Sequence, residues 1–236
     1  AYDEIRDLFA RQPLSKTRGF QPKHFSFNVD GGRCDACKGE GEQIVEMQFL
    51  ADVHLQCDVC NGKRFKEEVL EVICNQKNIH DILELSVDES VDFFKQLKTK
   101  EGDAIAKAIQ PLQDVGLGYV KLGQSSNTLS GGEAQRVKLA SFLGKGKSMG
   151  SILFIFDEPT TGLHFHDIRK LLASFNALVE QGHSILVIEH NTDVLKSCDW
   201  IIELGPEAGD GGGELVFAGK PMDLKKVNKS YTGKFL

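Results

Sequence analysis

Four of the six cysteines fall in two pairs, Cys34-x-x-Cys37 and, after nineteen residues, Cys57-x-x-Cys60. Zinc takes four tetrahedral ligands and accepts thiolates readily. Two residues between cysteines let one tight turn aim both sulfurs at a single ion. Gly39 and Gly41 follow the first pair and Gly62 the second. They permit turns in which backbone N–H groups approach the sulfurs. A redox site needs one such pair rather than two at ribbon spacing, and disulfides are disfavoured without an export signal. Because four cysteines fill the coordination shell, the expected zinc is structural. Cys74 ends an apolar run and Cys198 precedes Trp200. Both read as core residues.

A second constellation carries groups suited to phosphoryl transfer. Ser130, Gly131, Gly132 and Glu133 open a helix that continues AQRVKLA. Bare N–H groups at a helix start, with glycines allowing close approach, form an anion site. Alone, the same residues are an ordinary N-cap. The run ILFIFDEP at 152–159, however, delivers Asp157 and Glu158 to the end of a buried strand. In open α/β sheets, ligands bind at that end. One carboxylate there can hold Mg2+ and its neighbour can orient or deprotonate an attacking water. ILVIEH at 185–190 brings His190 to the end of a neighbouring strand, where it can hydrogen-bond a γ-phosphate. No G-x-x-x-x-G-K-[ST] phosphate loop occurs. The nearest segment, Gly146-Lys147-Ser148, has Ser141 in place of the first glycine and reads as a flexible loop.

These groups need a scaffold, and the pattern supplies one. Residues 3–10 read as a helix presenting Ile5, Leu8 and Phe9. Residues 11–33 read as irregular, with Phe25, Phe27 and Val29 alternating like a strand. A hairpin is expected between the cysteine pairs, from IVEMQFL and VHLQ, and another strand at 65–73. Ser86 and Glu89 fit a capping box opening a helix through Val91, Phe93 and Phe94. A helix near 103–115 stops at Gly116 and Gly118. Beyond residue 129, helix 133–143, strand 151–156, helix 167–181, strand 184–188, helix 191–197 and strand 200–204 alternate. That order implies a parallel α/β sheet, with a last strand at 214–218 after the glycine-rich run 209–213. The expected division is 1–78 for a basic segment and zinc module, 79–150 for a helical subdomain, and 151–236 for half of an ATPase core.

Bulk composition narrows the function. With 41 % hydrophobic and 26 % charged residues, the chain is ordinary for a soluble domain. Its net charge is −6, so any nucleic-acid surface must be local. Positive charge concentrates in residues 11–33 and beside the second cysteine pair, which makes Arg18, Lys23, Arg33, Lys63 and Arg64 the candidate DNA contacts. The alternative for these five is a solvated face. Neither an apolar run of membrane length nor a signal peptide is visible, so a cytoplasmic location without membrane contact is expected. A start at Ala1 rather than Met suggests a chain processed or cut from something longer.

Together the phosphoryl-transfer motifs resemble the ABC ATPase superfamily. Ser130 to Glu133 match its signature, Asp157 and Glu158 its Walker B pair, and His190 its switch histidine. Thr161-Gly162-Leu163-His164 sits at the D-loop, where most members carry Asp in place of His164. That departure is a feature of the UvrA family. The resemblance to UvrA extends through FSFNVDGGRCDACKGEGE, the nineteen-residue cysteine spacing, KLGQSSNTLSGGEAQRVKLA, FDEPTTGLH and LGPEAGDGGG. It implies a partial P-loop NTPase core of parallel-sheet type, with a helical signature subdomain and an inserted β-rich zinc module. It further implies ATP and Mg2+ as cofactors beside structural Zn2+, and Gly162 among the nucleotide contacts. Damaged double-stranded DNA, a UvrB-like excision subunit and a second copy of the parent would be the partners. The implied activity is ATP hydrolysis in nucleotide excision repair, with this segment alone inactive. A non-repair UvrA paralogue or another ABC ATPase, such as a drug-resistance protein, is the rival. The C-x-x-C-x-G-x-G unit is also similar to the zinc repeats of DnaJ-type chaperones, but the second unit departs at Arg64 and that likeness ends by residue 80.

Overall fold

The computed structural model describes residues 1–45, 53–144, 150–205, 207, 209 and 212–236. The chain folds as two compact units: residues 1–113 with 118–125, and residues 114–117 with 126–236.

The first unit begins with α1 (Tyr2–Ala10), which buries Ile5 and Phe9. Helix α2 (Pro13–Arg18) follows within a stretch expected to be irregular. Pro13 sits at its first turn, where a missing N–H costs nothing, and Gly19 ends it at φ 69°. Strands β1 (Glu42–Val45) and β2 (Val53–Gln56) pair antiparallel, with Glu42 opposite Gln56, as the hairpin reading required. The rest of IVEMQFL, at 46–50, lies outside the described residues. Short helices α3 (Glu67–Leu70) and α4 (Ile79–Glu84) lead to α5 (Val87–Gln96) and α6 (Lys100–Asp114). Both halves of the expected Ser86–Glu89 capping box are formed. Asn78 and Asp81 make a second one at the start of α4. Phe9, Phe25, Phe65, Ile82, Phe94 and Ile109 belong to one buried cluster.

Two expected strands are absent from this unit's described residues. Phe25 closes a 3-10 turn (Pro22–Phe25), because Pro22 fixes φ at its first position and the Tyr2 hydroxyl donates to the Phe25 carbonyl at 2.7 Å. Phe25 is buried, whereas Val29 is 44 % exposed, so the three residues do not share a sheet face. The stretch 65–73 contributes a single bridge, Arg33 to Phe65, before turning into α3. Its buried residues Phe65, Val69 and Val72 are spaced four and three apart, which is a helical face.

In the second unit Ser130 caps α7 (Gly131–Leu143). Then come β3 (Leu153–Asp157), α8 (Phe165–Glu180), β4 (Ser184–Ile188), α9 (Thr192–Ser197), β5 (Ile201–Gly205), β6 (Glu214–Gly219) and α10 (Pro221–Leu224). β3 and β4 run parallel, from Leu153 opposite Ser184 to Asp157 opposite Ile188. β5 does not join them among the described residues; it pairs antiparallel with β6. The expected parallel sheet is thus confined here to one strand pair. Residues 206–213 are too few for a parallel crossover, which takes about a dozen, and suffice for a hairpin. Among the described residues no helix is long and apolar enough to cross a membrane.

Candidate metal centre and nucleotide site

The four paired cysteines converge. The Sγ atoms of Cys34, Cys37, Cys57 and Cys60 all lie within 4.8 Å of one another, and all four residues are buried. Cys34 and Cys57 are 4.0 Å apart and Cys37 and Cys60 3.7 Å. A disulfide would need about 2.05 Å. A tetrahedron with metal–sulfur bonds of about 2.3 Å has edges of about 3.8 Å, so this set could hold one Zn2+. The two turns repeat a single device. The residue after each pair is left-handed and a left-handed glycine follows: Lys38 (φ 53°) with Gly39 (φ 90°), and Asn61 (φ 49°) with Gly62 (φ 77°). A Cβ on Gly39 would sit 2.0 Å from the Phe27 carbonyl oxygen. The Gly41 N–H donates to the Cys37 sulfur at 3.3 Å. Backbone bonds from Cys34 to Arg64 (2.8 Å) and from Cys57 to Gly41 (2.9 Å) lock one turn to the other. The backbone N–H of Cys60 holds the Cys57 thiol down to about 7, while burial pushes Cys60 up to about 12. A bound dication offsets that penalty by favouring the thiolate.

The second cluster forms where β3 and β4 end. The Glu158 N–H donates to the Ile188 carbonyl at 2.9 Å, which carries the pairing one residue past the strands. That residue has φ 44°, an unusual backbone for a non-glycine and one held only by its surroundings. Its Oε1 lies 4.0 Å from His190 Nδ1, and both side chains are largely exposed. Asp157 is exposed beside it. Glu158 and the imidazole therefore meet at one strand end, with Asp157 next to Glu158 in the chain and likewise exposed. Ser130 accepts from the Glu133 N–H at 3.3 Å and donates its own N–H to the Glu133 carboxylate at 2.7 Å. Gly131 is exposed, with open space where a Cβ would stand. A Cβ on Gly132 would lie 3.6 Å from the Thr161 carbonyl oxygen, so the start of α7 borders the turn after β3. Gly162 is left-handed and exposed, and His164 stands at the N-cap position of α8 without a side-chain capping bond. Gly146, Lys147 and Ser148 lie outside the described residues.

No protein-family model matches the chain. UvrABC system protein A of Agrobacterium fabrum is 56 % identical over all 236 residues, and that of Rhizobium meliloti is 54 % identical over the same span. The crystal structure of UvrA2 from Deinococcus radiodurans superposes with a TM-score of 0.85 at 44 % identity, over 100 % of this chain and 28 % of that one. The chain belongs to the UvrA family. It spans 24 % of the length of these curated relatives.

Two residues that the sequence reading of this UvrA-family site passed over prove central to its geometry. Arg136, 1 % exposed, reaches from α7 to donate to the Pro159 carbonyl at 2.7 Å. Glu189, immediately before His190, accepts from Thr160 and from the backbone of His190 and Asn191. A signal for Glu189 was present, since it follows the apolar run ILVI as Asp157 and Glu158 follow ILFIF.

The five candidate DNA contacts have different surroundings. Arg18 donates to the Glu68 carbonyl at 2.8 Å and pairs with Glu71. Arg33 pairs with Asp30 at 2.7 Å and donates to the carbonyls of Asn28 and Lys38. Arg64 donates to the Gly123 carbonyl at 2.8 Å and lies over the Phe27 ring at 5.6 Å. Lys23 and Lys63 are exposed, with no ion pair to another described residue.

The cysteine geometry generates one expected outcome. Metal analysis of the purified protein should return close to one zinc per chain, lost on Cys57→Ala. A Cys57→Ala variant that kept full zinc would refute the four-sulfur site.

Proposed function

We propose that the chain forms part of the DNA-damage-recognition ATPase of bacterial nucleotide excision repair, an ABC ATPase about four times its length. The observation that carries this reading is the meeting of Glu158 and His190, 4.0 Å apart, at the end of a parallel strand pair. Identity is also higher to relatives named UvrABC system protein A, at 56 %, than to UvrA2, at 44 %. Bound Mg2+ and ATP would supply the transferable phosphoryl group and the charge that neutralises it. Asp157 would ligate the Mg2+. Glu158 would orient and deprotonate water, and His190 would donate a hydrogen bond to the γ-phosphate. Ser130, Gly131 and Gly132, with Glu133 fixing the cap, would meet nucleotide held by another ATPase domain, and Gly162 would lie along it. Zn2+ on the four cysteines would shape a surface facing double-stranded DNA. The parent would act as a homodimer with a UvrB-like excision subunit, in the cytoplasm. The 236 residues contain no phosphate-binding loop motif, so alone they should not turn over ATP.

In the full-length ATPase, Glu158→Gln should abolish hydrolysis at this site and leave ATP binding intact, because an amide keeps the shape but takes no proton. Steady-state turnover and equilibrium nucleotide binding test this together. Wild-type turnover from an isolated site carrying the glutamine would remove Glu158 from the reaction.

Of the candidate DNA contacts, Lys23 and Lys63 fit best, since the three arginines hold carbonyls and carboxylates of the chain itself. Each phosphate contact adds about 0.9 to the slope of log affinity against log salt. Replacing both lysines by Glu should flatten that slope in the full-length protein, and an unchanged slope would place the DNA path elsewhere.

A further inference from the structure

Glu189 has no part in the reading above, yet its carboxylate ties two turns together. One oxygen accepts the Thr160 N–H at 3.0 Å and the Thr160 hydroxyl. The other accepts the backbone N–H groups of His190 (2.9 Å) and Asn191 (3.0 Å). Burial pushes its pKa up, but the hydrogen bonds from Thr160, Asn191 and His190 outweigh that and hold it below the usual carboxylate range. It is therefore a carboxylate when it makes those bonds, and charge-assisted bonds are the stronger kind.

Each turn it holds carries one member of the strand-end pair. Glu158 opens a tight turn closed by the Thr161 N–H on the Glu158 carbonyl at 3.1 Å, and Thr160 lies inside that turn. The residue before Thr160, Pro159, is gripped from α7 by Arg136 at 2.7 Å. On the other side, the Asn191 side chain caps α9, accepting the Asp193 N–H at 2.9 Å. The side chains of His190 and Glu158 are 83 % and 57 % exposed, so little packing fixes them. Their separation is set by the backbones that carry them. The left-handed backbone of Glu158 likewise persists only where its neighbours over-determine it.

We propose that Glu189 is a positioning residue for hydrolysis, clipping the Thr160 turn to the His190 turn and so setting the Glu158–His190 pair without touching substrate. The proposal rests on the ATPase reading above. A glutamine would keep the shape of Glu189 but place an NH2 group against N–H donors, breaking one half of the clip.

The test uses the full-length ATPase with Glu189→Gln, His190→Ala and the double variant. A misplacement of about 1 Å can cost on the order of a hundredfold in rate. Glu189→Gln should lower kcat by about ten- to a hundredfold, with KM for ATP changed by less than about threefold. Because part of what Glu189 does is exerted through His190, the loss in the double variant should be smaller than the product of the two single losses. Amide hydrogen exchange in the nucleotide-free protein supplies an independent readout: the His190 and Asn191 amides should exchange faster in Glu189→Gln. Losses that multiply in the double variant, or unchanged exchange at those amides, would overturn the proposal. If Glu189→Gln does not fold, Thr160→Val removes one donor and keeps the carboxylate, and the same non-additivity with His190→Ala is required of it. Should Glu158→Gln leave turnover untouched, the ATPase reading fails, while the exchange measurement still decides whether the clip exists.

Discussion

The parallel register of β3 on β4 places Asp157 opposite Ile188 and thereby sets Glu158 beside His190. Buried phenylalanines specify that register. Phe154 and Phe156 are the two buried residues of β3; Phe156 packs on Phe175 of α8 at 4.9 Å and Phe154 meets Phe142 of α7 at 5.0 Å. Burying an aromatic side chain of this kind contributes about 1.5–3 kcal/mol. A one-residue slip would turn both rings to the opposite face and lose most of that. The acidic and imidazole groups at the strand end, themselves exposed and weakly packed, inherit their placement from this apolar face. Arg136 and Glu189 then carry the constraint into the turns, where the strand ladder no longer reaches.

In the first unit the cysteine tetrad plays the corresponding part. Few side chains around it are apolar and buried: all of β2 is exposed, as are the described side chains of β1. The two turns are held by sulfur proximity, by backbone bonds between them and by glycines that tolerate contacts no other residue could make. Arg33 and Arg64 brace the same region through carbonyl oxygens. Both arginines are therefore tied into the fold of the module.

Legibility in the sequence follows how local the deciding interaction is. The capping box at Ser86, the β3 and β4 runs and the four cysteines are specified by residues a few positions apart, and the bounds of both strands are legible to within a residue or two. The failures depend on distant partners. Phe25 looks like a strand residue until the Tyr2 hydroxyl takes its carbonyl. Residues 65–73 look extended until the burial of Val69 and Val72 shows a helical face. Counting charge picks out Arg18, Arg33 and Arg64 but not the backbone oxygens they also reach, because composition does not reveal which carbonyl a guanidinium finds. Glu189 was passed over because its importance lies in four donors gathered from two turns. The family resemblance was clear throughout, since it rests on long unbroken motifs.

In the proposed function, this strand end is where a γ-phosphate is cleaved. A structure of the full-length ATPase trapped with a γ-phosphate analogue tests that claim most directly. The Glu158 carboxylate should then address the attacking water, and His190 should lie within hydrogen-bonding reach of the analogue, about 2.6–3.2 Å between heavy atoms. An analogue seated with Glu158 and His190 both remote from its γ-position would contradict it.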